Sequence, residues 1–164
     1  MIVELKDKKT LEDIAKFENE IFGVTAFSLK QLEEMSEIER YKFIELYEDE
    51  KMVGYVILLD SIDVWEIMKI AVDKEQRKKG YGDKLLNYIF NFVQMPIMLE
   101  VRENNIPAIK FYRKNGFEKI GVRKNYYHDT NEAAHIMIGS VTTNGWFWRE
   151  IAYNNSKKQY HRRR

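Results

Sequence analysis

Hydrophobic and polar positions along the chain follow two periods, and the changes between them mark out the elements. Leu11, Ile14, Phe17, Glu18 and Ile21 fall on one face at helical spacing, starting near Thr10 and ending at Gly23. Ser28 with Gln31 has the reciprocal spacing of a capping box and predicts a second helix through Leu29, Leu32 and Met35. Residues 40–48 alternate with period two, and Asp49-Glu50-Lys51 turns them into a second strand over 52–59. After a turn at 60–63, residues 64–72 are apolar enough for a central strand. Residues 1–6 read as a first strand.

The next helix carries Leu85, Leu86, Ile89, Phe90 and Val93 on one face and stops before Pro96. A short buried strand over 97–101 follows, then a short helix over 108–114 that ends at Asn115-Gly116. Residues 117–123 and 135–141 complete the pattern as two strands. The expected fold is α/β, strictly an α+β mixed sheet: an antiparallel meander, then a strand–helix–strand–helix section. About seven strands, mostly antiparallel, are flanked by about four helices.

Composition narrows the classes without choosing one. The chain has 164 residues, 45% apolar and 32% charged, with a net charge of +1. That size suits one domain with a real core, and the charge gives no global field that calls for nucleic acid or an acidic membrane. Cysteine is absent. Disulfides, thiolate metal sites and a cysteine nucleophile are therefore excluded, and a cytoplasmic location is the expectation. No apolar run reaches the roughly 18–20 residues of a membrane span. His128, His135 and His161 lack metal-ligand spacing, so no metal is expected.

Chemistry concentrates at one junction. Arg77-Lys78-Lys79-Gly80-Tyr81-Gly82 joins the apolar strand to the amphipathic helix. Glycines leave backbone N–H groups uncovered, and a helix N-terminus adds orphan donors and partial positive charge. A phosphate ligand fits such a turn. A basic turn that merely opens a helix fits the six residues equally well. The pattern is neither a P-loop, which needs Gly-Lys-Ser/Thr, nor a dinucleotide fingerprint, whose third glycine is Leu85 here.

Three segments together resemble the GNAT acyltransferase superfamily. They are Ile70-Ala71-Val72-Asp73, the 77–82 turn, and Asn105-x-x-Ala108-x-x-Phe111-Tyr112-x-x-Asn115-Gly116-Phe117. Leu99-Glu100-Val101-Arg102-x-Asn104-Asn105 and Arg123-Lys124-Asn125-Tyr126-Tyr127 resemble, more closely, the bacterial RimI-type ribosomal-protein-alanine N-acetyltransferases. The resemblance implies an acetyl-CoA cosubstrate and, as acceptor, the N-terminal α-amine of a ribosomal small-subunit protein. It assigns the pantetheine amides to the backbone of Ile70, Ala71 and Val72. The pyrophosphate falls to Arg77, Lys78, Lys79, Gly80, Tyr81, Gly82 and Asp83, with Asn105 as a further cofactor contact. It makes Glu100 the general base and Tyr112 the general acid. Arg123, Tyr126 and Tyr127 would face the acceptor, and Glu66, sharing strand parity with Met68 and Ile70, is a rival base on the substrate side.

Each of these side chains also has an ordinary structural use. Glu100 could pair with Arg102 or a lysine, Tyr112 could be a core aromatic, and the tyrosine pair could close a strand. The resemblance, through the surrounding motif, favours the catalytic use. An α-amine has a pKa of about 7.7–8.0 against about 10.4 for lysine. Freeing it at neutral pH costs roughly 1 kcal/mol against about 4–5 for lysine, so a single carboxylate suffices as base.

The chain departs from the family pattern at Ala26-Phe27, where a Pro-Trp pair is usual, and in an acidic position near Ala133 and Ala134 for which Glu132 is a stand-in. The family fold is expected to span residues 1–141. Residues 142–164 then form an extension with Trp146, Phe147, Trp148 and a basic end, read as an accessory, solvated segment. Nucleic acid and membrane are not expected as partners, and the oligomeric state is open. Acetylation of a small amine or a lysine, and an acyl-CoA-binding module without catalysis, remain alternatives.

Overall fold

The structure is a computed structural model that describes residues 1–4 and 8–139. The expected extension over 142–164 lies outside the described residues, as do the last two positions of the strand expected over 135–141. Among the described residues there are seven strands and four helices. Hydrogen-bonded strands follow the order β1-β2-β3-β4-β5-β7-β6. The chain divides into two compact units, and β4 (Trp65–Val72) contributes residues to both.

The first unit holds Met1–Asp60 and Met68–Ile89. In it β1 (Ile2–Glu4), β2 (Tyr41–Glu48) and β3 (Lys51–Asp60) form the antiparallel meander. Helices α1 (Lys8–Phe22) and α2 (Leu29–Ser36) supply Leu11, Ile14 and Leu32 to a core with Phe43, Tyr55 and Ile57. Helix α1 begins two residues before Thr10, so that threonine is inside the helix. Helix α2 starts as its sequence requires. Ser28 Oγ accepts from Gln31 N–H at 3.2 Å and Gln31 Oε1 accepts from Ser28 N–H at 2.9 Å.

Strand β3 is buried on both faces over most of its length and β2 over its middle, residues 43–46, which simple alternation does not anticipate. Gly54 on β3 marks the tightest contact there. A Cβ at this position would lie 2.8 Å from the Ala71 carbonyl oxygen and 3.3 Å from Leu85. Helix α3 (Tyr81–Phe92) then buries Leu85, Leu86 and Ile89, the stripe seen in its sequence.

The second unit holds Ser61–Ile67 and the chain from Phe90 onward. Parallel pairing joins Trp65, Glu66 and Ile67 of β4 to Ile97, Met98 and Leu99 of β5 (Ile97–Arg102). Strand β7 (Glu132–Gly139) is antiparallel to β5 and to β6 (Glu118–Tyr127). One core cluster joins Val64, Met98, Ile136 and Ile138. Against Gly139, Phe90 and Phe117 approach so closely that a Cβ would sit 3.0 Å from the Phe90 ring.

Three boundaries here differ from the sequence reading by two residues or more. Helix α4 (Ile106–Lys114) starts two residues earlier than 108, because Asn105 caps it and Pro107 is tolerated in its first turn. Strand β6 runs on to Tyr127, and β7 begins at Glu132, because Tyr127 and Glu132 still pair across an irregular ladder. Local sequence does not reveal that pairing: φ is positive at both Asn125 and Asn131, yet Asn125 lies inside β6 and only Asn131 lies in the turn, directly before β7.

Candidate active site

All the donor-side candidates but Asn105 belong to the first unit. Ile70, Ala71 and Val72 occupy the last residues of β4, beyond those that pair with β5. A short 3₁₀ turn, Lys74–Gln76, leads out of the strand, with Asp73 accepting from Glu75 N–H at 3.0 Å. That bond, and Lys51 Nζ at 3.1 Å, hold the Asp73 carboxyl below the usual carboxylate range.

The basic turn then reverses through two left-handed residues, Lys78 at φ 64° and Gly80 at φ 82°. Only glycine takes such a φ without cost, and space is not the constraint, since nothing lies within 4 Å of a Cβ built on Gly80. Alternation of backbone hand on successive residues is the pattern that gathers N–H groups into an anion-binding concavity. Helix α3 opens at Tyr81, and Lys84 N–H already bonds the Gly80 carbonyl at 3.0 Å. Gly82 therefore lies in the first helical turn, and the bend itself rests on Lys78 and Gly80.

The side chains divide. Lys78 and Lys79 are exposed, and Lys79 reaches Gln76 Oε1 at 2.8 Å. Arg77 turns back, its Nε donating to the Val72 carbonyl at 3.2 Å. Tyr81 leans toward Glu48, and desolvation followed by that carboxylate raises its phenol above the ordinary value. Asp83 places an acidic group in the first turn of α3, which suits the helix dipole and opposes an anion bound by side chains. Any contribution of Asp83 to a phosphate must come from its backbone.

The acid–base candidates belong to the second unit. Register puts Glu66 opposite Met98, so Glu66 and Glu100 share one face of the paired strands. Glu66 is 8% exposed and accepts from Ser61 Oγ. Glu100 does not pair with Arg102. Its Oε1 is 2.7 Å from Arg123 Nη1, in a pair whose side chains are 18% and 8% exposed. A guanidinium at this distance makes a charge-assisted hydrogen bond that fixes the carboxylate's orientation. Arg123, expected on the acceptor side, is thus engaged with the base candidate.

Arg102 serves the hairpin instead. It binds Asp129 through both carboxylate oxygens at 2.8 and 3.0 Å, reaches Glu132 at 3.3 Å, and lies 3.9 Å over the Tyr127 ring. Glu132 also accepts Asn104 N–H at 2.8 Å, which fixes the chain just before α4. Tyr126 and Tyr127 meet edge to face at 5.1 Å. Burial, then the Glu100 carboxylate, pushes the Tyr127 phenol up to about 12.

Asn105 Oδ1 accepts Ala108 N–H at 3.3 Å, so part of this residue is spent on capping α4. Tyr112, two turns on, is 8% exposed and contacts Phe111 and Phe117 at ring separations of 5.3 and 5.6 Å. Desolvation, with Tyr127 adding, raises its phenol well above the usual tyrosine value. It therefore stays protonated through the working range, as a proton donor must. Replacing Tyr112 by Phe is expected to lower turnover about 10²-fold while leaving acetyl-CoA affinity near wild type. Equal turnover, measured by steady-state kinetics, would remove Tyr112 as the acid.

Among the described residues no group of three or more His, Cys, Asp and Glu side chains could hold a metal ion. No described helix is long and apolar enough to cross a membrane. Sequence reading missed Glu18 and Lys69, a buried charged pair in the first unit. The only available signal was a glutamate on an otherwise apolar helical stripe.

Comparison with known proteins agrees with these features. The chain is 32% identical over 93 residues to the [ribosomal protein bS18]-alanine N-acetyltransferase of Salmonella typhimurium, a match over 54% of this chain and 63% of that one. It thus spans less than two thirds of that relative's length. The crystal structure of the ribosomal-protein-S18-alanine N-acetyltransferase from Escherichia coli superposes with a TM-score of 0.75 at 27% identity, covering 88% of this chain and 97% of that one. An aminoglycoside 6′-N-acetyltransferase complexed with coenzyme A shares the fold, at a TM-score of 0.76 and 16% identity over 88% of this chain and 98% of that one. The profile described as "Acetyltransferase (GNAT) family" matches residues 9–117, from the first helix through the end of α4. With strand, basic turn and capped helix inside that match, the chain belongs to the GNAT acetyltransferase family.

Proposed function

We propose that this chain is an acetyl-CoA-dependent N-acetyltransferase acting on the N-terminal α-amine of a protein, of the ribosomal-protein-alanine type, in the cytoplasm. The acceptor reading rests on its likeness to the bS18-alanine acetyltransferases. The donor reading rests on the turn at Lys78 and Gly80 before the N-terminus of α3. In this reading residues 1–141 form the catalytic fold and 142–164 an extension.

The residues present suit the donor. Backbone N–H groups of residues 78–83, with Lys78 and Lys79, would hold the pyrophosphate. The N–H and C=O groups of Ile70, Ala71 and Val72 would bind the pantetheine amides like an added strand, with the Val72 carbonyl shared with Arg77. Acetyl-CoA supplies the activated acetyl thioester. Glu100 takes the proton of the acceptor amine, directly or through one water, with Arg123 fixing its orientation. Tyr112 holds a proton for the departing sulfur. A chain without cysteine has no thiol to carry the acyl group, which favours direct transfer in a ternary complex.

The test gives the purified chain labelled acetyl-CoA with an alanine-starting ribosomal peptide, the same peptide with a blocked N-terminus, and a panel of small amines. Label on the free N-terminus alone is expected. Label on the lysines of the blocked peptide, or only on small amines, overturns the acceptor assignment. Tight CoA binding without transfer overturns the assignment as an enzyme.

A further inference from the structure

Strand β5 ends at Arg102, which pairs with Ala134, and two residues then lead to the Asn105 cap of α4. Both are tied to the β6–β7 hairpin. Glu103 N–H donates to the Ala133 carbonyl at 3.0 Å, and Glu103 Oε1 accepts Ala133 N–H at 3.2 Å. Asn104 is exposed, yet its N–H donates to Glu132 Oε1 at 2.8 Å. The other Glu132 oxygen accepts from Arg102 Nη1 at 3.3 Å. Arg102 in turn grips the hairpin tip through Asp129 and Thr130, and its guanidinium lies 3.9 Å over the Tyr127 ring. All of these residues, with Glu100 and Tyr112, belong to the second unit.

Closing the hairpin does not require this arrangement, since the backbone ladder already pairs residues 118–123 with 134–138. Arg102 and Glu132 are only 24% and 12% exposed, so desolvation offsets much of their attraction. What they add is a join between two pieces of chain. One Glu132 oxygen holds the start of α4, and the other holds the guanidinium on which Tyr127 rests. Helix α4 carries Tyr112 behind its Asn105 cap. Tyr127 lies within electrostatic reach of both Glu100 and Tyr112, whose phenol it helps to raise. The base candidate, the acid candidate and the hairpin tyrosine thus share one frame, with Glu132 at its joint.

We propose that Glu132 and Arg102 are positioning residues that lock the start of α4 to the β6–β7 hairpin, so that Asn105, Tyr112 and Tyr127 keep fixed places around Glu100. The inference rests on the acetyltransferase reading above, and one of its measurements does not depend on that reading. The two Glu132 oxygens have separate tasks, which substitutions can divide. Glu132→Ala removes both grips. Glu132→Gln keeps a carbonyl oxygen for Asn104 N–H and turns its NH2 toward Arg102, which has no acceptor to offer. Arg102→Met removes the bonds to the hairpin while an unbranched apolar chain still covers the Tyr127 ring.

Arg102→Met and Glu132→Gln are each expected to lower kcat about tenfold while the acetyl-CoA KM stays within about twofold, at a temperature where circular dichroism shows each variant folded. Glu132→Ala should lower kcat about as much and also raise the acetyl-CoA KM about fivefold, because Asn104 is released beside Asn105. Combining Arg102→Met with Glu132→Gln should lower kcat no further, since both break the same join. Hydrogen exchange of the Asn104 amide, followed by NMR, should accelerate in Glu132→Ala and stay near wild type in Glu132→Gln. Unchanged kcat in Arg102→Met, kcat losses that multiply in the double variant, or unchanged Asn104 exchange in Glu132→Ala each overturns the proposal. Should wild type transfer acetyl to no acceptor, the enzyme reading fails, and the exchange data still decide whether Glu132 holds the start of α4.

Discussion

Glu100→Gln is expected to lower kcat/KM for peptide acetylation about 10²- to 10⁴-fold, the usual contribution of a positioned general base. Glutamine keeps the size of the side chain and an oxygen for Arg123 to bind, at the 2.7 Å seen for the native pair. It cannot accept a proton. Because Arg123 is almost fully buried, loss of its counter-charge should also lower stability, so the assay belongs at a temperature where the variant is folded by circular dichroism. The decisive comparison is with Glu66→Gln. Glu66 lies on the same face and is bound to Ser61, which makes it the rival base. A larger rate loss in Glu66→Gln, with Glu100→Gln near wild type, would transfer the role.

Gly54→Ala is expected to destabilise the chain by about 1–3 kcal/mol, the range for overpacking a filled interior. A native Cβ contact of 2.8 Å with the Ala71 carbonyl does not occur, and the obstacle is strand backbone, which cannot rotate aside. Reduced freedom of the unfolded chain returns about 0.4–1 kcal/mol at most, so the clash wins. At about 2–4 °C per kcal/mol for a protein of this size, the loss reads as a clear drop in Tm. Ala71 and Val72 must shift to make room, so acetyl-CoA affinity should fall as well. An unchanged Tm together with unchanged cofactor affinity, measured by calorimetry, would refute both the close approach and its link to the donor site.

Elements set by near neighbours were legible in the sequence. The capping box at Ser28 and Gln31, the buried stripe of α3 and the strand–turn–helix at 70–85 all depend on residues within a few positions of one another. Partnerships across the chain were not. Glu18 stood on an apolar stripe and read as part of it, while its partners Tyr55 and Lys69 are distant in sequence. For Glu100 the structural alternative to a catalytic role was pairing with Arg102, two residues away, or with a lysine. Strand alternation puts those two on one face, but the hairpin claims Arg102 with Asp129 and Glu132, and β6 brings Arg123 to Glu100.

By itself the sequence determined the order of elements, the GNAT family and the strand–turn–helix on which the donor proposal rests, because periodicity, capping and glycine turns act over short stretches of chain. Tertiary structure alone decided which charges meet. It assigned Arg123 to the base candidate and Arg102 to the β6–β7 hairpin, and it joined Glu18 to Lys69. The physical reason is that a buried charge must find its partner wherever sheet register brings one, and register is a property of strands far apart in sequence.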